Sequence, residues 1–234
     1  MAKTKQPAQP AKAWALFDKS RQLVSRHIAL FALLYIVPLL GSVGSSIDSW
    51  HRHGQNKGLV LGDWKPTGAP TLSWKGWTSV AGLLILFAII SIIVQMLIAS
   101  ASYLAAKDRS PSFHKAWELT KKFGWRLLGV YILTSLAVLG GLILLIVPGL
   151  IFLRRYYLAP YVLLDQDVSI IEAMKRSSAL SKPYSGSVWR IIGLSLLIAL
   201  PNMIPVIGPI ISIILAMYFT AVPALRYLEL KKLS

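Results

Sequence analysis

The chain has 234 residues, of which 55% are hydrophobic and 15% charged, and its 25 Lys and Arg against 9 Asp and Glu give a net charge of +16. A soluble domain averages roughly 25% charged residues, so this composition predicts an integral membrane protein. The basic residues flank apolar runs instead of lying on a soluble domain, which argues against nucleic acid as a partner. The sequence contains no cysteine, which excludes disulfides, thiol catalysis and cysteine-ligated zinc.

The apolar runs predict the membrane layout in chain order. A spanning helix needs roughly 20 residues. Two long apolar blocks exceed one crossing, and Pro148-Gly149 and the proline-rich stretch 201–209 break them near the middle. We therefore predict an all-α, polytopic membrane protein with six transmembrane helices arranged as three hairpins. A basic N-terminal segment, 1–27, precedes a six-span domain, 28–234, with spans at about 28–47, 78–106, 127–147, 149–164, 189–205 and 209–228.

The basic residues predict the orientation. The segments 1–27, 107–126 and 165–190 and the tail carry nineteen Lys and Arg, whereas the loop 48–77 carries four. The positive-inside rule then places both termini in the cytoplasm and the loop 48–77 outside, in a multi-pass protein of the plasma membrane. The first apolar run has full spanning length and no A-x-A site follows it, so we interpret it as a span and not as a cleaved signal peptide.

An internal repeat relates residues 112–129 to residues 169–193. With seven residues inserted in the second segment, Trp125-Arg126 aligns with Trp189-Arg190 and Gly129 aligns with Gly193. A weaker copy begins at Phe17. Each copy predicts a cytoplasmic amphipathic helix followed by a membrane hairpin.

The amphipathic segments have recognisable starts and basic flanks. Ser110 with Pro111 predicts an N-cap followed by proline at the first helical position, and Ser169 with Glu172 predicts a capping box. One interpretation is that these helices hold anionic lipid head groups, and the other is that they only connect spans and set topology. The candidate lipid- or anion-binding residues on them are Lys121, Lys122, Arg126, Lys175, Arg176 and Arg190.

The segment 147–193 also carries a family pattern. The pattern consists of Pro148, Gly149, Arg155, Pro160, Asp165, Glu172, Ala173, Arg176, Ser177, Trp189 and Arg190. It resembles the bacterial six-span membrane region of some glycerophosphoryl diester phosphodiesterases and the stand-alone YciC-like inner-membrane proteins. The resemblance covers about residues 107–230 and implies a fold and a membrane location, with no established activity of the domain. The phosphodiesterase barrel would have to follow the membrane region, so we do not expect that activity here.

Arg154 and Arg155 lie side by side in an apolar stretch, where a charge costs at least about 2.5–3.5 kcal/mol. A turn at Pro148-Gly149 would place them about 7–9 Å along the helix, within snorkelling reach. Successive helical residues point about 100° apart, so we expect Arg154 to reach the outer head groups and Arg155 to face the bundle. There a freed carbonyl or a bound phosphate group would be its partner. The alternative is that both residues only snorkel.

The sequence offers few candidates for catalytic or metal-binding residues. We interpret Asp165, Asp167 and Glu172 as caps and as charge balance for Lys175 and Arg176. The His51–His53 stretch, with Asp48 and Asp63 nearby, supplies too few ligands to predict zinc. No phosphate-binding loop, zinc-protease or nucleophile-elbow motif occurs in the sequence. We therefore expect no catalysis, no cofactor and no metal.

Two functions remain from the sequence. The first is a non-enzymatic membrane protein that binds or organises anionic lipid, or a partner protein, at the cytoplasmic face. The alternative is a small secondary transporter or lipid translocator with Arg155 and Gln95 in its path, because broken helices and internal repeats are features of transporters.

Overall fold

The structure is a computed structural model that describes residues 10–55, 74–107, 110–204 and 207–233. Within these ranges the regular structure is entirely helical, which confirms the all-α part of the predicted fold class. The helices are α1 (Ala13–Arg26), α2 (Ile28–Gln55), α3 (Trp74–Ala106), α4 (Phe113–Leu144), α5 (Ile146–Tyr156), α6 (Ala159–Gln166), α7 (Ile170–Ser181), α8 (Ser185–Ala199), α9 (Ile207–Phe219) and α10 (Val222–Leu233), with a 3-10 turn at Leu200–Met203.

Three helical stretches of the described chain are long and apolar enough to cross a membrane. They are Ile85–Ala106, Phe113–Leu144 and Ile207–Leu233. Two bent pairs raise the number to five if each counts as one span: α1 with Ile28–Gly41, at 100°, and α7 with Ser185–Asn202, at 104°. Large apolar side chains such as Leu136 and Leu197 are exposed on the surface, as lipid-facing helices require. The described residues thus form a bundle compatible with a membrane, and the count of six spans stays a prediction.

The interior contains hydroxyl contacts between helices as well as apolar packing. The large core cluster includes Leu127, Leu163 and Ile191, all fully buried. Thr120 donates from Oγ1 to Ser100 Oγ at 2.9 Å and thereby links α4 to α3. Hydroxyl contacts of this kind stabilise helix packing where apolar surface alone gives no preference over lipid.

The chain turns at Leu145, three residues earlier than predicted. Leu145 is extended, at φ −165° and ψ 146°, and α5 then packs back against α4. A Cβ on Gly141 would lie 2.7 Å from the Cα of Gly149, so glycine permits this close approach. The predicted break at Pro148-Gly149 is therefore wrong. Pro148 lies in the first turn of α5, where its missing N–H has no intrahelical partner to lose.

The amphipathic segments differ in their continuity. α1 and α7 are separate helices, as predicted, because the chain bends sharply after each of them. The segment 113–126 is instead the first part of the continuous helix α4, so the prediction of a separate amphipathic helix there is wrong. No helix breaker separates 113–126 from the apolar residues that follow, whereas Pro183 lies in the break between α7 and α8.

The predicted N-caps have mixed outcomes. Ser169 Oγ accepts a hydrogen bond from the backbone N–H of Glu172 at 3.3 Å, which confirms Ser169 as the N-cap of α7. The N-cap of α4 is Ser112, whose Oγ accepts from the N–H of Lys115 at 3.3 Å, so the prediction of Ser110 is wrong. Two serines flank Pro111, and only the second directly precedes the helical residues.

The predicted external loop 48–77 is partly helical. α2 continues to Gln55 and α3 begins at Trp74. Residues 56–73, which include Asp63, lie outside the described residues, as do the side chains of the His51–His53 stretch. The interpretation of those histidines therefore stays a prediction.

Candidate functional site

Charged residues from several helices meet at one end of the bundle, which we call the polar end. The C-terminal ends of α3, α6 and α10 lie there together with the first part of α4 and with α7. The polar end is defined by Lys107, Lys122, Arg126, Asp165, Asp167, Glu172, Arg176 and Lys231. It includes three of the eight predicted anion-binding residues.

Asp165 is the most buried carboxylate of the polar end, with 2% of its side chain exposed. Its Oδ1 accepts from the Tyr103 hydroxyl at 2.6 Å and from Lys107 Nζ at 2.8 Å. Its Oδ2 accepts from the Tyr227 hydroxyl at 2.8 Å and from Lys231 Nζ at 2.5 Å. Four donors thus converge on one carboxylate, which links the ends of α3, α6 and α10.

The pKa of Asp165 reflects two opposing effects. Burial by itself raises it, but the hydrogen bonds from the two lysines and the two tyrosines outweigh burial and hold the pKa well below its usual range. The hydrogen bonds that Lys107 donates raise its pKa, the one to Asp165 most and the one to Tyr103 next. Asp165 is therefore ionised and hydrogen-bonded at both oxygens. This suits a structural role that links helices and not a role as a proton donor or acceptor.

Asp167 forms a second and more open cluster two residues further along. It ends α6 in the left-handed conformation, at φ 50°, and its N–H donates to the Leu163 carbonyl at 3.1 Å. Its carboxylate lies 2.6 Å from Arg126 NH1 and 3.1 Å from Lys122 Nζ, and half of the side chain is exposed. The hydrogen bond from Lys122, with the nearby positive charges of Lys122 and Arg126, lowers the pKa of Asp167.

α7 is held against α5 and α6 by polar contacts. Arg176 Nε donates to Glu172 at 2.8 Å, and Arg176 NH1 donates to Gln166 at 2.5 Å. Ser177 Oγ donates to the backbone carbonyl of Arg155 at 2.7 Å. The expected charge balance between Glu172 and Arg176 is thus present. The expected balance of Arg176 by Asp165 or Asp167 is not, because those acids bind lysines and an arginine of other helices.

The arginine pair lies further from the chain reversal than predicted. Arg154 and Arg155 follow Leu145 by nine and ten residues, about 14–15 Å at helical rise, so the predicted depth of 7–9 Å is wrong. Both side chains are half-buried, and the buried Nε of Arg154 has no hydrogen-bond partner among the described residues. The contact between Ser177 and Arg155 places this end of α5 beside α7. The predicted orientation puts α7 in the cytoplasm, so the prediction that Arg154 reaches the outer head groups does not agree with that orientation.

The remaining predicted cations have no carboxylate partner within the described ranges. Lys121 Nζ lies 5.2 Å above the Trp117 ring, a cation–π contact. Lys175 is exposed. Arg190 is exposed and donates from Nε to the Gly186 carbonyl at 3.2 Å. These three residues are therefore available to an external anion.

Sequence reasoning missed a buried ion pair near the C-terminal end of the chain. The Arg226 side chain is fully buried, and its NH1 lies 2.6 Å from Glu229 Oε2. Arg226 NH2 donates to the Ala11 carbonyl at 2.9 Å, and the Ala11 N–H donates to Glu229 Oε1 at 2.5 Å. The pair therefore binds both polar groups of the Ala11 backbone. The spacing of the two residues on a helix was a signal for their pairing, but nothing in the sequence pointed to Ala11.

The part of the chain that the structure describes contains no group of three or more His, Asp or Glu able to hold a metal ion. No protein-family model, curated protein or solved structure matches this chain. The resemblance to the six-span family therefore stays an expectation, and the functional argument rests on the residues of this chain.

Proposed function

We propose that the protein is a non-enzymatic integral membrane protein that binds and organises anionic lipid at the cytoplasmic face of the plasma membrane. The observation that carries this proposal is that the described structure has more basic side chains than carboxylates to pair with them. Five of the eight predicted anion-binding residues have no carboxylate partner among the described residues: Lys121, Arg154, Arg155, Lys175 and Arg190.

The acids on α4, α7 and α10 and at the end of α6 do not offset this excess, because each already has a basic partner, as Glu118 of α4 has in His114. Asp165 and Asp167 each bind two cations, and Glu172 and Glu229 each bind one arginine. Each basic residue near an anionic membrane surface contributes about 1 kcal/mol to membrane attraction. A membrane-embedded bundle with unmatched cations is therefore stabilised where anionic lipid supplies the counter-charge.

The topology that accompanies this function has six spans as three hairpins, with both termini cytoplasmic. Two contacts support the hairpins. α5 packs back against α4, and a Cβ on Gly208 would lie 1.8 Å from the Pro201 carbonyl oxygen, so the chain also turns back tightly before α9. The nineteen-to-four distribution of basic residues supports the orientation.

Single cysteines test this topology without background, because the chain has none. A Lys57→Cys variant should react with an impermeant thiol reagent on intact cells. A Lys121→Cys variant should react only after the cells are permeabilised. The reverse pattern would contradict the orientation.

The lipid proposal is tested with the full chain in nanodiscs. Discs that contain phosphatidylglycerol should retain more lipid around the purified protein than discs of phosphatidylcholine alone, and the difference should shrink at 1 M salt, where the screening length is about 3 Å. Equal retention of both lipids at low salt would refute the function. Selective co-purification of one protein, with no lipid preference, would favour the alternative of a protein partner.

The transporter alternative gains less support from the structure. Gln95 is exposed on the described surface of α3. Arg155 is on α5, which packs mainly against α4, α7 and α8. The two residues proposed to line a transport path therefore lie on different surfaces of the bundle. We expect no flux of lipid or small solutes in proteoliposomes that hold the purified protein, and measurable flux would favour this alternative.

A further inference from the structure

A groove of about 550 Å³ lies between α1 and α8. This size is within the usual range for small-molecule sites, about 300–1,000 Å³. Its apolar floor includes Gly193, Leu194 and Leu197, and its cationic edge is formed by Lys12 and Arg190. Trp14, which is 64% exposed, also lines the groove. The apolar floor, the cationic edge and the exposed tryptophan together match the chemistry of a phospholipid at a membrane surface.

The edge of this groove carries unmatched positive charge. Lys12 directly follows Ala11, whose backbone is held by Arg226 and Glu229. Arg190 lies near enough to Arg226 for the two like charges to repel each other. Glu229 faces this group, and it is already bound to Arg226 and to the Ala11 N–H. Three cations and one engaged carboxylate leave a positive surplus that a phosphate would neutralise.

The chain outside the described residues does not supply a counter-charge from the adjacent segment. Residues 1–9 contain Lys3 and Lys5 and no acidic residue. The chain that precedes Lys12 therefore contains no acidic residue, and an external anion is the natural complement of the positive groove edge.

The groove between α4 and α7 is formed by the other copy of the repeat. There, side chains of the protein itself occupy the positions around the arginine and the glycine. Arg126 lines that groove, and Asp167 binds it at 2.6 Å. A Cβ on Gly129 would lie 2.4 Å from Ile170 Cδ1, so the Ile170 side chain covers the glycine. A carboxylate and an apolar side chain of the chain itself thus cover the Trp-Arg-x-x-Gly segment there.

The groove between α1 and α8 has the same segment in an open form. Arg190 has no carboxylate partner in the described structure, and a Cβ on Gly193 would meet nothing within 4 Å. The positions taken by a carboxylate and by an isoleucine in the first groove are therefore accessible in the second. A molecule that combines an anionic group with an apolar chain fits both.

We propose that the groove between α1 and α8 binds one anionic phospholipid, with its phosphate between Lys12 and Arg190 and an acyl chain over Gly193, Leu194 and Leu197. The proposal rests on the proposed function and assigns it a site. Arginine binds phosphate oxygens in a bidentate manner, so Arg190 supplies the main polar contact. The open Cα surface of Gly193 lets the acyl chain lie close to the α8 backbone.

The first test compares the two repeat-related arginines. The full-length protein in a mild non-ionic detergent is titrated with phosphatidylglycerol, and bound lipid is counted by native mass spectrometry. Arg190→Gln should weaken binding about ten-fold or more, because a hydrogen bond to a charged group is lost. The matched control Arg126→Gln should change it less than about two-fold, since Asp167 already binds Arg126 at 2.6 Å. Equal effects of the two substitutions would overturn the proposal.

The second test fills the groove without removing charge. Gly193→Leu should weaken phosphatidylglycerol binding about ten-fold by covering the apolar floor, and leucine favours the helix over glycine, so folding is preserved. Gly140→Leu is the matched control, because a Cβ there also meets nothing within 4 Å and the residue lies on α4, away from the groove. Binding unchanged in Gly193→Leu, or displaced by millimolar inorganic phosphate, would overturn the proposal.

The outcomes separate the site from the function. A wild-type protein without any preference for phosphatidylglycerol over phosphatidylcholine would refute the proposed function and the groove together. A wild-type preference that survives both Arg190→Gln and Gly193→Leu would refute the groove alone and leave the lipid function to the other cations of the molecule.

Discussion

Asp165 and Asp167 are two residues apart and both bind two cations, yet their surroundings differ. Asp165 is 2% exposed and accepts from two tyrosines as well as two lysines. Asp167 is 50% exposed, and its ion pairs with Lys122 and Arg126 lie at the surface. A count of ion pairs would score the two aspartates equally.

The difference shows that burial, and not the number of charged partners, decides how much an ion pair stabilises the fold. Exposed pairs contribute little because water solvates both charges well when they separate. Removal of a buried carboxylate leaves donors without partners in a place that water reaches poorly. Asp165 should therefore hold the bundle together, and Asp167 should mainly offset part of the charge of Lys122 and Arg126 at the surface.

The largest expected effect is that of Asp165→Asn. The amide keeps the size of the side chain but loses the charge, so Lys107 and Lys231 lose their common anion. We expect the free energy of unfolding to fall by about 2–3 kcal/mol, which corresponds to a loss of roughly 5–10 °C in Tm. Thermal unfolding in mild detergent measures this. The comparison fails if Asp167→Asn lowers Tm by as much.

The pH dependence should be the next largest effect. The pKa of Asp165 is lower in the folded protein than its ordinary value of about 3.9. The carboxylate therefore stabilises the fold above about pH 4, and this stabilisation is lost as the pH falls from there towards the folded-state pKa. Tm measured between pH 7 and pH 3 should fall more steeply for the wild type than for Asp165→Asn. Parallel curves would show that other carboxylates govern acid unfolding.

Substitutions of Asp167 should separate its backbone role from its charge. Asn and Gly adopt the left-handed conformation readily, whereas Ala does so at a cost. We expect Asp167→Ala to lower Tm by roughly 2–4 °C and Asp167→Asn to lower it by less than about 2 °C. If Asn and Ala behaved alike, the charge of Asp167 and not its conformation would be the stabilising feature.

The smallest expected effect is that of salt on these variants. At 1 M salt the screening length is about 3 Å, which weakens exposed ion pairs more than buried ones. The small Tm difference between the wild type and Asp167→Asn should disappear at 1 M salt, and the difference for Asp165→Asn should persist. Loss of both differences in salt would mean that water and ions reach Asp165 freely.

Local features of this chain were predictable because their causes lie close together in sequence. The apolar runs indicated the helices, and Ser169 with Glu172 indicated where α7 begins. The errors at Ser110 and at Pro148-Gly149 are displacements of two or three residues. They arise because a serine and a proline favour a helix start without fixing which neighbouring residue begins it.

The candidate site was not predictable in the same way. The donors to Asp165 come from residues about 60 positions away on both sides of it, and only the packing of α3, α6 and α10 brings them together. From the sequence we predicted that Asp165 balances the charges of Lys175 and Arg176, because these residues are near it in the chain. Pairing of charges in the folded chain is decided by helix packing, which a single sequence does not specify.

The binding of Ala11 by Arg226 and Glu229 sets an order for biosynthesis. Ala11 and Arg226 are 215 positions apart, so at about 5–20 residues per second the ribosome makes the partner roughly 10–40 s after Ala11 itself. During that interval Leu16 and Leu23 of α1 cannot pack with the α10 residues of the same core cluster, such as Leu225 and Leu230. The membrane surface or a chaperone must shield it, and α1, though made before α10, reaches its final position only after α10 has been made.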